Sequence, residues 1–335
     1  MMYVLGFVAS GVVVVFAGTA LARYADAIAE VTKIGRIWIG SVLLAAATSL
    51  PELTTDIAAV RLGAVDLAVG DLFGSSMANM LILAVIDLLP PRRQVLQRVT
   101  LDHALAACLA ISLNALAAVL VLVRPEASLL WVGPGSLFLF LAYVAGTRAV
   151  YRHAAREILH APASTTEATP VEGAPPRSLS HAVARFVAAA LVVLLTAPVF
   201  AWSAKGIAEI SGLGNTFVGT WLVGLATSLP ELVASIAALR MGSFDLAVGN
   251  LFGSNACNMA VFLGLDLAQS GSVFAALDPS HAISALFAVV LMSLGLAAIV
   301  YRAKRRFAMI EPGSVLMLAA YALALWLLYG HSAGT

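Results

Sequence analysis

Apolar residues run along this chain in long blocks, and the polar residues between them come in short groups. Ten blocks stand out, near 3–22, 37–60, 66–89, 103–123, 128–150, 181–202, 217–240, 245–268, 280–301 and 313–330. A helix needs about 20 residues to cross the hydrocarbon of a bilayer, and each block is long enough. The pattern therefore predicts an all-α polytopic membrane protein with ten transmembrane helices. Between the fifth and sixth blocks lies "HAPASTTEATPVEGAPPRS", rich in Pro, Ala, Ser and Thr, which reads as a flexible linker. The chain thus divides into 1–151, a linker over 152–180, and 181–335.

Composition agrees with this. Of the 335 residues 61% are hydrophobic and only 11% are charged, with a mean hydropathy of +0.97, whereas a soluble domain keeps roughly a quarter of its residues charged. The partner implied is the lipid bilayer; a net charge of +1 gives no basis for nucleic acid, and no protein partner is evident. Met1 to Ala22 carries no basic leading segment, so it reads as a first membrane helix and not a cleaved signal. Cys108 and Cys257 sit in apolar blocks and read as buried small hydrophobes. The six histidines fall at block ends or in loops, where solvation is the default expectation.

Basic residues set the orientation. With ten spans, 16 of the 19 Lys and Arg fall in the loops after spans 1, 3, 5, 7 and 9; only Arg61, Arg124 and Lys205 lie on the opposite side. The positive-inside rule then places the linker in the cytoplasm and both termini outside, as for a protein of the cell membrane.

The chain also repeats itself. Shifted by 179 residues, Gly40–Met80 and Gly219–Met259 are identical at 25 of 41 positions. "ATSLPEL" occurs at 47–53 and again at 226–232, and "DLAVGDLFGSSMANM" (66–80) meets "DLAVGNLFGSNACNM" (245–259). Five spans per half is an odd number, so the second half enters the membrane upside down. Two inverted five-helix repeats are an architecture of alternating-access transporters.

The best-repeated segments are also the most polar. Pro51 and Pro230 lack an N–H and crowd the carbonyl four residues back, so each should break its helix in mid-membrane; such broken core helices are tolerated only inside protein or beside a cavity. Glu52 and Glu231 follow at once, and a carboxylate near the middle of a span costs about 3 kcal/mol even on lenient scales. Thr48 and Thr227 lie one turn behind on the same face. The partner spans carry Ser75 with Asn79 and Ser254 with Asn258, each pair at i, i+4. Brought together at the midplane, these residues offer only oxygen ligands. Hard cations such as Ca2+ take about six to eight oxygens, and two carboxylates balance a divalent charge. Ser75 and Ser254 read equally as ligands or as small residues for close helix packing.

These paired motifs resemble the two alpha-repeats of the sodium/calcium exchanger family, within the calcium/cation antiporter superfamily. The likeness is sharp over 28–87 and 207–266. It implies four core helices around one Ca2+ site and neighbouring Na+ sites, with Ca2+ and Na+ (or H+) as transported ions and no cofactor. Carried over by position, Glu52 and Glu231 would be the shared carboxylates. Thr48, Thr227, Ser49, Ser228, Ser75 and Ser254 would supply hydroxyl or backbone oxygens, Ala45 and Gly224 carbonyls, and Asn79 and Asn258 the amide or acid positions. The implied function is a secondary antiporter exchanging Ca2+ for Na+, at three Na+ per Ca2+; the alternative is H+ coupling through the same glutamates. The transporter would be no enzyme. "AVGD" at 68–71 only faintly matches the "GxGD" of intramembrane aspartyl proteases, and the inverted broken-helix pair argues against a passive channel.

The halves differ at a few places. The family's usual "GTS" is here Ala47 and Ala226 before the threonine. Ser76 and Asp71 stand where the second half has Asn255 and Asn250. Asp56 has Ser235 as its mate; it reads either as a third carboxylate in the outer approach or as a helix-end charge in water. Asp66 and Asp245 open their spans and read as N-caps.

Overall fold

The computed structural model describes residues 1–88, 95–128, 131–160, 178–210, 225, 227–301 and 312–332. Its elements are α1 (Met2–Thr32), α2 (Arg36–Thr48), α3 (Leu50–Arg61), α4 (Val65–Leu88), α5 (Val95–Arg98), α6 (His103–Val123), α7 (Pro134–His160), α8 (Leu179–Ile210), α9 (Leu229–Arg240), α10 (Phe244–Gln269), α11 (Val273–Ala276), α12 (His281–Tyr301) and α13 (Pro312–Ser332). Among the described residues six helices are long and apolar enough to cross a membrane, and the bent pair α2–α3 makes a seventh. A helix occupies each of the ten expected spans, the seventh from Leu229 onward. The protein is an all-α, multi-span membrane protein. Helix α7 continues to His160, nine residues into the stretch expected as linker; positions 161–177 of that stretch lie outside the described residues, as does Gly224.

Burial separates the helices into two classes. In α4 and α10, 83% of the most apolar stretch is buried, against 28% for α1. The first two therefore form the centre. Their outward neighbours present apolar stripes such as Val4, Val8, Val12 and Phe16 on α1, spaced at helical intervals and suited to lipid. Cys108 belongs to this outer class: it is exposed on α6 and not buried as expected. The sequence pattern is apolar on every side of such a helix, so it does not say which side faces lipid.

The chain crosses from α2 to α10 at very short range. A Cβ on Gly253 would lie 2.2 Å from the Ser41 carbonyl oxygen, and one on Gly40 would lie 2.6 Å from the Leu246 carbonyl oxygen. Gly249 and Gly253, four residues apart, give α10 the bare face that this contact requires. Helices α1 and α8 pack along each other through stacked Phe7 and Phe200, with ring centroids 4.4 Å apart, and through Tyr3 against Trp202. Their link to the core includes Gly18 of α1, where an added Cβ would meet Val233 of α9 at 3.1 Å.

The repeat reappears as paired hydrogen bonds. His103 Nε2 lies 3.0 Å from Asp245 Oδ1, and His281 Nε2 lies 3.1 Å from Asp66 Oδ1. Thr100 N–H donates to Asp245 and Asp278 N–H to Asp66, each at 3.0 Å. Asp66 and Asp245 therefore do not cap their own helices, as the sequence suggested; they fasten the entry of α12 and α6, in the opposite half. His103 is fully buried in this latch and so departs from the solvated expectation. Asp87 accepts from Leu96 N–H and the Ser314 hydroxyl, and its mate Asp266 accepts from Val273 N–H and Gly133 N–H. The tight turns before α4 and α10 also match, with Gly63 at φ +80 and Gly242 at φ +83, a region that glycine enters without a Cβ penalty.

Candidate cation site

The first broken helix positions its ligands through an unusual backbone. From Ile39 to Leu44 the segment is π-helical, then α-helical over Ala45–Thr48. The break falls at Ser49, and α3 departs at 40° to α2. Pro51 lies in the first turn of α3, where its missing N–H costs nothing, so the kink precedes the proline by two residues. The Ala45 carbonyl is not left open by the break. It accepts the Ser49 N–H at 2.9 Å and the Thr48 hydroxyl at 3.2 Å. Ala47 is the carbonyl that loses its usual donor, because Pro51 has none. Leu229–Arg240 repeats the arrangement of α3, with Pro230 in its first turn.

The four core segments bring the polar side chains of both halves together, and all of them are buried. Thr48 of the first half reaches Asn250 Oδ1 at 3.2 Å and Ser254 Oγ at 3.5 Å in the second. The mirror contact joins Thr227 to Asp71 Oδ1 at 3.1 Å and to Ser75 Oγ at 3.4 Å. Ser49 Oγ donates across the interface to Glu231 Oε1 at 3.3 Å, and Ser254 Oγ donates to the same oxygen at 3.4 Å. Each threonine thus fastens its broken helix to the central helix of the other half. Ser75 and Ser254 contact site side chains and do not merely fill helix crossings.

Several site oxygens have no donor. Among the described residues, both carboxylate oxygens of Glu52, Oε2 of Glu231, Oδ1 of Asn79, the side-chain O and N of Asn258, and the Ser228 hydroxyl are buried without a hydrogen-bond partner. A buried polar atom left unpaired costs about 1–3 kcal/mol, more when charged, and native interiors hold few of them. Their concentration on α3, α4, α9 and α10 marks a place built for a positive ligand. Asn79 shows how the amide is aimed: its Nδ2 donates to Asn255 Oδ1 at 2.9 Å, which leaves Oδ1 unpartnered. Asn255 in turn donates to the Ser76 carbonyl at 3.2 Å, and Asn114 donates to the Asn255 carbonyl at 3.2 Å. Among the described residues no three His, Cys, Asp or Glu side chains form a metal cluster; the ligand chemistry is two carboxylates supplemented by neutral oxygens.

Two carboxylates were underweighted in the sequence. Asp56 is 1% exposed and so is no helix-end charge in water. Asp71, recognised only as a departure from its repeat mate, touches Thr227 directly. The mismatch of Asp71 with Asn250 in an otherwise identical "DLAVG–LFGS" stretch was the available signal. Ala45 and Ser228 are where the repeat places them, and the structure says nothing of Gly224.

Comparison with known proteins bears on the whole chain. The family model described as sodium/calcium exchanger protein matches residues 2–147 and 181–330. The putative antiporter CaxA of Alkalimonas amylolytica is 28% identical over 88% of this chain and 89% of its own. The sodium/calcium exchanger MaX1 of Methanosarcina acetivorans is 48% identical, over 17% of each chain. Among solved structures, the sodium-calcium exchanger NCX_Mj soaked with zero Na+ and Ca2+ superposes with a TM-score of 0.70 at 22% identity, covering 97% of this chain and 98% of that one; this similarity establishes the fold.

Proposed function

Since this chain belongs to the sodium/calcium exchanger protein family, we propose that it moves Ca2+ across the cell membrane in exchange for Na+, by alternating access and without covalent chemistry. The observation that carries the proposal is the set of unpartnered buried oxygens on Glu52 and Asn79 of the first half and on Glu231 and Asn258 of the second. Two carboxylates neutralise one Ca2+. Amide oxygens of Asn79 and Asn258 and hydroxyl or backbone oxygens of Thr48, Ser49, Thr227 and Ser228 complete the shell, with Ser75 and Ser254 behind them. Na+ uses the same carboxylates, so the two ions compete and take turns.

The hydrogen bonds suit this exchange. Glu231 holds two hydroxyls while Glu52 holds none. Swinging Ser49 and Ser254 toward the ion frees the second carboxylate at the cost of two hydrogen bonds to a charged group, each worth about 1.5–3 kcal/mol net, which direct contact between the carboxylate and the ion offsets. In the proposed orientation the linker lies in the cytoplasm and both termini outside. The test is 45Ca2+ counterflow in proteoliposomes. Uptake against unlabelled internal Ca2+, abolished by Glu231→Gln, supports a carrier; a leak that ignores internal Ca2+ refutes it.

A further inference from the structure

Asp56 and Asp71 make the two halves unequal at one place. Their carboxylates lie within hydrogen-bonding reach of each other. Asp71 Oδ1 accepts the Thr227 hydroxyl at 3.1 Å, and Oδ2 of each aspartate is buried without a donor. Glu52, one turn before Asp56, is fully buried with both oxygens unpartnered and faces both aspartates electrostatically. In the second half the same two positions are Ser235 and Asn250, and there Asn250 Nδ2 simply donates to Ser235 Oγ at 3.2 Å. That pair is neutral and self-satisfied. The first-half pair consists of two acidic side chains, with no Lys or Arg ion-paired to it among the described residues.

We propose that Asp56, Asp71 and Thr227 form an additional Na+ site, present only in the first half and set one helical turn from the shared Ca2+ site. It rests on the exchange reading above. Two adjacent carboxylates in a low-dielectric interior repel strongly, so the pair holds either a shared proton or a cation. Four carboxylate oxygens and one hydroxyl make a shell of five hard oxygens, fewer than the roughly six to eight that Ca2+ takes; this small oxygen count, and not the carboxylate charge, favours the monovalent ion. The asymmetry has a functional sense. In an inverted repeat the two halves serve opposite faces of the membrane, so an extra Na+ ligand set in one half biases where Na+ first lodges. Thr227 belongs to both ligand sets, so Na+ at the aspartates competes with Ca2+ for that hydroxyl.

Equilibrium 22Na+ binding to the purified full-length protein tests this. Asp71→Asn removes one of the two carboxylates, and Asp56→Ser with Asp71→Asn rebuilds the neutral pair of the second half. Both should bind fewer Na+ per protein than the wild type, short by the single ion of this site, and the Na+ dependence of Ca2+ release should become less steep. Unchanged 22Na+ stoichiometry means that the aspartates hold only a shared proton, and it overturns the proposal. If the double variant is not monodisperse, Asp71→Asn decides, because asparagine already folds at position 250. Failure of the exchange reading shows elsewhere, as wild-type protein that binds Na+ but does not release Ca2+ in response.

Discussion

Glu52→Gln is the substitution with the clearest expected signature. The Glu52 side chain is fully buried, neither carboxylate oxygen has a donor, and Glu231, Asp71 and Asp56 all act on it electrostatically. Removing the charge therefore breaks no hydrogen bond and relieves repulsion, so in ion-free buffer the variant should be no less stable than the wild type. Ca2+ reverses the order. Two unit charges about 4 Å apart interact by about 4 kcal/mol at an effective dielectric of about 20, and a divalent ion doubles the figure before desolvation is subtracted. If about 4 kcal/mol survives, affinity drops about a thousandfold, at 1.4 kcal/mol per decade. Wild-type protein at a hundred times its Kd gains about 2.7 kcal/mol of stability; the variant at the same Ca2+ concentration gains nothing measurable. Thermal unfolding in detergent, with and without Ca2+, gives both quantities in one experiment. Equal Ca2+ stabilisation of the two proteins would remove Glu52 from the site, and a large loss of stability without ions would show that its carboxylate is structural.

Other outcomes are open to direct measurement. Gly253→Ala places a methyl 2.2 Å from the Ser41 carbonyl, where neither backbone can yield, so it should cost at least about 1–3 kcal/mol; Gly264→Ala, facing the flexible Leu53 side chain at 3.3 Å, should unfold like the wild type, and equal midpoints for both would disprove the close crossing. Thr165→Cys, in a background lacking Cys108 and Cys257, should resist impermeant thiol reagents in intact cells, and labelling from outside would reverse the orientation. Inside-out vesicles should accumulate Ca2+ faster when a K+/valinomycin potential makes the lumen positive, since moving one net charge is worth roughly 2.3 kcal/mol per 100 mV; indifference to potential would exclude three Na+ per Ca2+.

Much of this molecule was legible because the chain is written twice. The offset of 179 residues pairs Thr48 with Thr227, Glu52 with Glu231 and Ser75 with Ser254, and the structure hydrogen-bonds all of these except the unpartnered Glu52 across the interface between the halves. Proline placed the break of the first core helix to within a turn. It did not place it at the right residue, because proline in a first turn starts a helix as readily as it ends one. Three things were hidden for a common reason: sequence gives the spacing along a helix but not what the opposing helix presents. Asp56 reads either as a third carboxylate or as a charge at a helix end until α4 supplies Asp71. His103 reads as a loop histidine until α10 supplies Asp245. Cys108 sits in an apolar block, and only packing shows that its side faces outward.

The central claim is that one oxygen cage serves Ca2+ and Na+ in turn. The most direct test is Ca2+ uptake into proteoliposomes with imposed gradients. Vesicles loaded with Na+ and diluted into Na+-free medium at constant pH should take up 45Ca2+, and dissipating the Na+ gradient with an ionophore should stop it. A pH gradient alone should drive none. Uptake that follows the proton gradient and ignores Na+ would contradict the account and assign the glutamates to proton exchange instead.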